Sequence, residues 1–447
     1  MSSRTVYGRF FEHVFLPIHG LLRKRSYLDH RRFLEKSQWW SPEEIRSYQW
    51  TELQKLFAHA FHSVPYYRRK YAAVGFELND LKTWKDFARL PILTREEVNA
   101  HREELCSNAF RGKLMPHATG GSSGVPVRFF RTLESYDWRT ACSDRAYEWS
   151  GWRLGERSVY LWGAAVGRVP RTAALKKKTY EHIRRQLIFN TFSHNAQVWN
   201  TVYESIRRFK PVLVVGYVSS LLEFSRFLSS SAKTLSGLKG VITAAEPLSE
   251  KTRAYIADAL GAPVFNTYGS REFMSIAGEC SEHRGLHVHS ENLLVETDLP
   301  PEQGASRILV TDLHNYGMPF IKYAMGDLGV LGEAPCTCGR GLPLLSSIDG
   351  RELDRVKTAS GRFISCLYFV HLMKDLPEVL EFQVQQRSIE EISVSVVLAE
   401  GISAKSQALF DGEMKKVLGD QVNVKLVPVE HIARSQSGKH KVIIGIE

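Results

Sequence analysis

A chain of 447 residues is too long for one ordinary core, so two or three domains are expected. With 43% hydrophobic residues it can bury real cores and is not a disordered composition, yet no run approaches the roughly 20 apolar residues of a membrane span. The net charge of +11 is concentrated: residues 1–40 carry eight Lys or Arg against three acids, and residues 167–186 carry seven against one, together the whole surplus. The plain reading is solvated surface suited to anionic substrates. The sharper one is contact with an anionic membrane face, as peripheral association through the basic N-terminal region, or with a polyanion. No nucleic-acid partner is expected, because no binding motif accompanies the charge. No signal-peptide pattern opens the chain and its six cysteines are scattered, so a cytoplasmic protein with free thiols or a metal is expected, not a disulfide framework.

In chain order, residues 9–22 mix Phe10, Phe11, Val14, Phe15, Leu16, Leu21 and Leu22 with flanking Arg, the pattern of an interfacial helix. Residues 42–110 read as helical, with Pro42 near a helix start and Leu53, Leu56, Phe57 and Phe61 at helical spacing. Val212–Val215 is a short buried strand, followed by a helical pattern through Leu221, Leu222, Phe224 and Leu228. Val241–Thr243 is a second strand, Ser249–Leu260 a helix stopped by Gly261, and Val264–Thr267 a third strand. This alternation predicts parallel pairing. Ligands bind such sheets at the carboxyl ends of the strands, where Ala244-Ala245-Glu246 and Tyr268-Gly269-Ser270 fall. Near residue 350 the rhythm changes to an alternating stretch at Ile392–Val397, a helix ending at Leu418 before Gly419, and a strand at Val422–Val427. The expected architecture is α/β: a large multi-subdomain domain over 1–349 with mostly parallel sheets and a helical region over about 1–110, then a small α+β domain over 350–447.

Gly120-Gly121-Ser122-Ser123-Gly124 satisfies G-x-S-x-G, but a nucleophile elbow must lead into a helix. Here Val125-Pro126-Val127-Arg128 follows, extended and with proline where a helix would start, so a serine hydrolase is not expected. No Gly-Lys-Ser/Thr closes the segment either, which excludes the nucleotide-binding P-loop. Its glycines and hydroxyls suit wrapping of a diphosphate by N–H and O–H donors. Further on come Tyr268-Gly269-Ser270-Arg271-Glu272, Tyr323-Ala324-Met325-Gly326-Asp327, Gly350-Arg351 and Ser437-Gly438-Lys439.

In this order and spacing the segments resemble the adenylate-forming superfamily, and within it the phenylacetate–coenzyme A ligase family with its capsule-biosynthesis relatives. The resemblance runs from about Tyr66-Tyr67 to Lys439. It implies that Thr119, Gly121, Ser122, Ser123 and Gly124 wrap the ATP phosphates, that Tyr268, Gly269 and Ser270 contact the nucleotide with Glu246 beside the adenine, and that Glu272 carries Mg²⁺. It implies that Asp327 accepts from the ribose hydroxyls, that Arg351 contacts ribose or phosphate, and that Lys439, on a mobile small domain, swings in for catalysis together with Glu272. The acid is expected near Tyr217, Ala244, Ala245, Asn266 and Met274. Three positions depart from the family: Val125 replaces a lysine, so either Arg128 or a bound Mg²⁺ substitutes for that charge or triphosphate binding is weaker; Arg271 replaces a hydroxyl residue; and Leu353 replaces the hinge acid, with Asp354 next.

Cys280, His287, Cys336 and Cys338 offer three thiolates and an imidazole, a normal complement for structural zinc. Similar clusters occur in the ligase family, which favours this set; His283 is the competing histidine. The leading function is ATP-dependent activation of a small-molecule carboxylic acid to an acyl-adenylate, then a thioester with coenzyme A. The rivals are an acyl or aminoacyl transfer to a sugar of a surface polysaccharide or another carrier, and a nucleotide-binding protein without activity. The sequence does not set the oligomeric state.

Overall fold

A computed structural model describes residues 5–119, 127–162, 178–191, 196–298, 306–332, 334–351, 355–358, 363–365, 368–369, 372–373, 375–399, 401–419, 421–432 and 442–446. Strands β1 (Met115–Ala118) and β2 (Arg128–Arg131) form a hairpin. Eleven strands make the main sheet: β3 (Ser158–Trp162), β4 (Gln186–Asn190), β5 (Leu213–Tyr217), β6 (Gly240–Ala244), β7 (Val264–Ser270), β8 (Met274–Glu279), β9 (Leu286–Val288), β10 (Leu293–Thr297), β11 (Ser306–Asp312), β12 (Tyr323–Leu331) and β13 (Leu344–Arg351). Their order is β10-β11-β12-β13-β9-β8-β7-β6-β5-β3-β4. β14 (Arg355–Lys357) pairs with β15 (Phe363–Ser365). β16 (Val379–Gln386), β17 (Glu391–Leu398), β18 (Asn423–Pro428) and β19 (Ile443–Ile444) make a separate sheet ordered β18-β17-β16-β19.

The expected parallel pairing holds for β4, β3, β5, β6 and β7. Helices Val218–Ser230 and Glu250–Leu260 supply the long returns such pairing needs. The second helix is capped by Ser249 and ends at Gly261, whose φ of 62° is the left-handed stop a glycine allows. From β7 onward the sheet is antiparallel, so the main sheet is mixed and not mostly parallel. The reason is connection length: the three residues between β7 and β8 permit a hairpin and nothing more.

The helix Pro42–Ser63 starts in a capping box made by Ser41 and Glu44. It buries Leu53, Leu56 and Phe57 against the antiparallel half, with Phe61 packed alongside. Residues 6–23 are helical with a π turn over Phe11–Phe15. The last sheet has its own core, in which Phe410 and Met414 of the helix Ala404–Leu418 pack with Val384, Val394 and Val396. It meets the main body where Lys251 Nζ donates to the Leu376 carbonyl at 2.6 Å and Thr252 Oγ1 to the Leu380 carbonyl at 2.8 Å. Among the described residues no helix is long and apolar enough to cross a membrane.

Candidate active site

Parallel register sets Tyr217 beside Ala244 and Thr243 beside Asn266, so the carboxyl ends of β5, β6 and β7 form one edge. Tyr217 is buried against the Trp162 ring, with centroids 4.4 Å apart. Asn266 is held twice: its side-chain carbonyl accepts from Thr243 Oγ1 at 3.1 Å, and its N–H donates to Glu279 Oε2 at 2.6 Å. Glu246 accepts from the Ser219 N–H at 2.8 Å and the Ser219 hydroxyl at 2.6 Å. That places a carboxylate at the positive end of the helix Val218–Ser230, where the peptide dipoles favour it.

Past this edge β7 turns back into β8. A Cβ on Gly269 would lie 2.0 Å from the Met274 carbonyl oxygen, so glycine is required here to close the hairpin on itself; the expected close approach to a ligand is not its structural cause. Ser270 Oγ accepts from the Phe273 N–H at 3.3 Å and pins the turn, which exposes Arg271 and buries Glu272. Ala245 (φ 67°) and Met274 (φ 61°) are both left-handed without being glycine, a costly conformation that tends to collect at functional sites.

The sheet curls so that Tyr268 of β7 donates to Asp327 Oδ2 of β12 at 2.8 Å, although three strands separate them in the bonding order. Asp327 stands directly opposite Arg351 in the β12–β13 ladder. Burial, then the nearby charge of Glu272, pushes the Tyr323 phenol well above its ordinary range, so it stays neutral. The β1–β2 hairpin frames the glycine-rich loop. Thr119 closes its mouth, donating to the Val127 carbonyl at 2.9 Å and accepting the Val127 N–H on Oγ1 at 2.8 Å. Arg128 is exposed opposite Ala118 at the same mouth. Gly121, Ser122, Ser123, Gly124, Leu353 and Lys439 lie outside the described residues.

At the other end of β8, the ligand atoms of Cys280, His287, Cys336 and Cys338 all lie within 4.8 Å of one another. Cys280 and Cys336 sulfurs are 3.7 Å apart, and Cys338 Sγ is 3.3 Å from His287 Nε2. His287 Nδ1 is 3.3 Å from the Leu342 carbonyl, which can only accept. The ring proton therefore sits on Nδ1, and the Nε2 lone pair faces the thiols. Burial pushes this imidazole down to about 4, which keeps it neutral. The donor set and its orientation fit tetrahedral zinc. His289 points away, to Arg145 Nη2 at 3.1 Å and the Ser275 hydroxyl at 2.9 Å. His283 turns to Glu279 at 3.2 Å and is not part of the group. The six-residue run of β8 puts the cluster about 20 Å of strand from Met274.

Residues 356–445 match the CapK C-terminal domain family. The chain is 24% identical over 450 residues to a phenylacetate–coenzyme A ligase of Thermus thermophilus, covering 90% of this chain and 97% of that protein. It is 26% identical over 330 residues to the enzyme of that name from Aromatoleum evansii, covering 70% and 72%. The crystal structure of 2-hydroxyisobutyryl-CoA ligase in the postadenylation state superposes with a TM-score of 0.68 at 20% identity, over 89% of both chains. The fold is that of the adenylate-forming coenzyme A ligases. An open conformation of the same ligase, with its acyl-adenylate and CoA, gives 0.59 at 22% identity over 89% of this chain and 90% of that one.

Within the ligase fold, sequence reasoning passed over Trp162, Arg95 and Arg131. Trp162 ends β3, a strand whose only signal was the short run Val159–Trp162. Arg95 Nη2 donates to Thr119 Oγ1 at 3.5 Å, a long-range link with no local pattern.

Proposed function

We propose that this chain activates a carboxylic acid with ATP, releasing pyrophosphate, and passes the acyl group from the adenylate to coenzyme A. The observation that carries this is the meeting of Tyr268 and Asp327 at the carboxyl edge of the parallel strands, in a chain similar along 90% of its length to a phenylacetate–coenzyme A ligase. Asp327 holds the ribose hydroxyls and Tyr268 orients it, with Arg351 opposite. The glycine-rich loop wraps the phosphates, and Arg128 supplies the charge Val125 lacks. Glu272 is the residue that would hold Mg²⁺, which neutralises phosphate charge when bound. The acid lies among Tyr217, Ala244, Ala245, Asn266 and Met274. Residues 350–447 act as a separate domain that first presents Lys439 and then withdraws it.

Pyrophosphate exchange over a panel of acids, followed by thioester detection with coenzyme A, tests the reading; no exchange with any acid rejects it. Asp327→Ala should raise the KM for ATP at least ~10-fold, the scale of losing hydrogen bonds to a charged group. Tyr268→Phe should cost less, since the carboxylate remains. Equal KM values in both variants and the parent would remove Asp327 from the nucleotide site. The competing acceptor, implied by the resemblance to capsule-biosynthesis proteins, is a sugar amine or hydroxyl. Acyl-adenylate formation without thioester formation would select it.

The N-terminal helix supports peripheral binding to an anionic bilayer. Tyr7, Phe11, Phe15 and His19 stack inward at centroid spacings of 6.2, 5.3 and 5.7 Å. The neighbouring row points out, leaving Val6, Phe10, Val14, Ile18, Leu21 and Leu22 exposed beside exposed Arg9, Arg23 and Lys24. On the inward row Tyr7 donates to the Ile183 carbonyl at 2.7 Å and Arg185 lies over its ring at 4.4 Å, which anchors the helix to the body and leaves the apolar row free to face a bilayer. Vesicles with phosphatidylglycerol should bind the protein at least ~10-fold more tightly than phosphatidylcholine vesicles, and Leu21→Glu with Leu22→Glu should abolish the difference. No binding to either, or a dimer that the same substitutions dissolve, would overturn it.

A further inference from the structure

Arg131 sits at the end of β2, opposite Met115 and so at the far end of the hairpin from the phosphate loop. Its side chain turns inward. Nη1 lies 3.7 Å from Met274 Sδ, the guanidinium stacks over Tyr136 at 4.5 Å, and Nε is fully buried without a hydrogen-bond partner. Arg139 is close by, 1% exposed, and its bond to Asp312 leaves its own Nε and Nη1 unpartnered. His117 faces the same group: burial and then Arg131, Arg139 and Arg271 push it down to about 4. Burial and the charge of Arg139 likewise lower Arg131, to about 10. Among the described residues Asp312 is the one carboxylate bonded to this basic cluster. Arg131 itself is half-buried, but its buried Nε has no hydrogen-bond partner and no carboxylate among the described residues bonds its guanidinium, an arrangement that an anionic ligand would complete.

We infer that Arg131 is a specificity-determining residue for the acid, and that the acid carries a second anionic group, remote from the reacting carboxylate, which the Arg131 guanidinium holds. This rests on the reading above in which Met274 lines the acid's pocket. A planar guanidinium fork suits a carboxylate, and also a phosphonate, in a two-point contact. The hairpin geometry argues against nucleotide phosphate as the partner: Arg131 is about 10 Å along β2 from the loop mouth at Arg128.

The test is binding before turnover. Calorimetry with the full chain and a non-hydrolysable ATP analogue would compare aliphatic and aromatic dicarboxylates of increasing length with their half-esters, and with monocarboxylic acids bearing a distal phosphonate. The best diacid or phosphonate should bind ~10- to 100-fold more tightly than its neutral half-ester, the worth of a charge-assisted contact. Arg131→Met should reduce that ratio to a few-fold while Arg131→Lys keeps part of it, with the affinity for the ATP analogue unchanged. Equal or tighter binding of half-esters, no binding of any doubly anionic acid, or a loss of ATP-analogue affinity in Arg131→Met would overturn the inference. Binding without pyrophosphate exchange would keep the anion site and reject the ligase reading instead.

Discussion

Lys439→Ala is expected to slow adenylation at least ~100-fold, the cost of one preorganised electrostatic contact in a transition state. The acid and the α-phosphate are both anions, so their approach is opposed until a cation lies between them, and the pentavalent transition state concentrates further negative charge. Arg128 stands at the mouth of the phosphate loop, and Arg351 faces Asp327 across a ladder. In the proposed arrangement neither bridges the reacting pair. Lys439, outside the described residues, is the candidate because Ser437-Gly438-Lys439 belongs to the proposed small domain, whose contacts with the main body include Lys251 to Leu376, Thr252 to Leu380 and Arg226 to Glu430. If that domain delivers the lysine for the first half-reaction alone, thioester formation from synthetic acyl-adenylate should survive within a few-fold. Pyrophosphate release and thioester formation, measured separately on Lys439→Ala and Lys441→Ala, decide the assignment. Unimpaired pyrophosphate release in the first variant removes Lys439, and a large loss in the second transfers the role to Lys441.

The parallel half of the sheet was legible because strand and helix each leave a local trace: apolar runs at Val212–Val215 and Val264–Thr267, and a helix bounded by Ser249 and Gly261. Those traces also located the carboxyl edge where Tyr217, Ala244 and Asn266 line up. The antiparallel half was not legible, since β8 to β13 are joined by connections whose direction depends on length and tertiary packing, not on periodicity. Nor could local pattern show that Tyr268 bonds Asp327, 59 positions later. The motif order suggested that they meet, and the curl of the sheet is the physical means. Gly269 has a further cause that local pattern does not show. Its identity was read as room for a ligand, whereas the Met274 carbonyl occupies the place of its missing Cβ. Arg131 left no trace at all, because an arginine in a short strand reads as an exposed one until its inward turn and its buried Nε without a hydrogen-bond partner are seen.

Purified protein washed with chelator should retain about one zinc per chain, and Cys336→Ser with Cys338→Ser should lose it. Four protein ligands would leave no open position, so the expected consequence lies in stability and not in chemistry. Cys280 and Cys336 are 56 residues apart, and by the chain-entropy argument closing a loop of that length contributes about 4 kcal/mol. In a domain of this size that corresponds to a fall in Tm of about 5 °C. The cluster joins the end of β8 to the segment entering β13, and these two strands carry Met274 and Arg351 at their other ends. The double variant should therefore adenylate within a few-fold of the parent well below its Tm, and fail abruptly as it melts. A protein free of zinc by metal analysis, or a serine variant with unchanged Tm, would show that the thiols pack without a metal. Lost activity at an unchanged Tm would instead place the metal in the chemistry, against the distance that β8 sets.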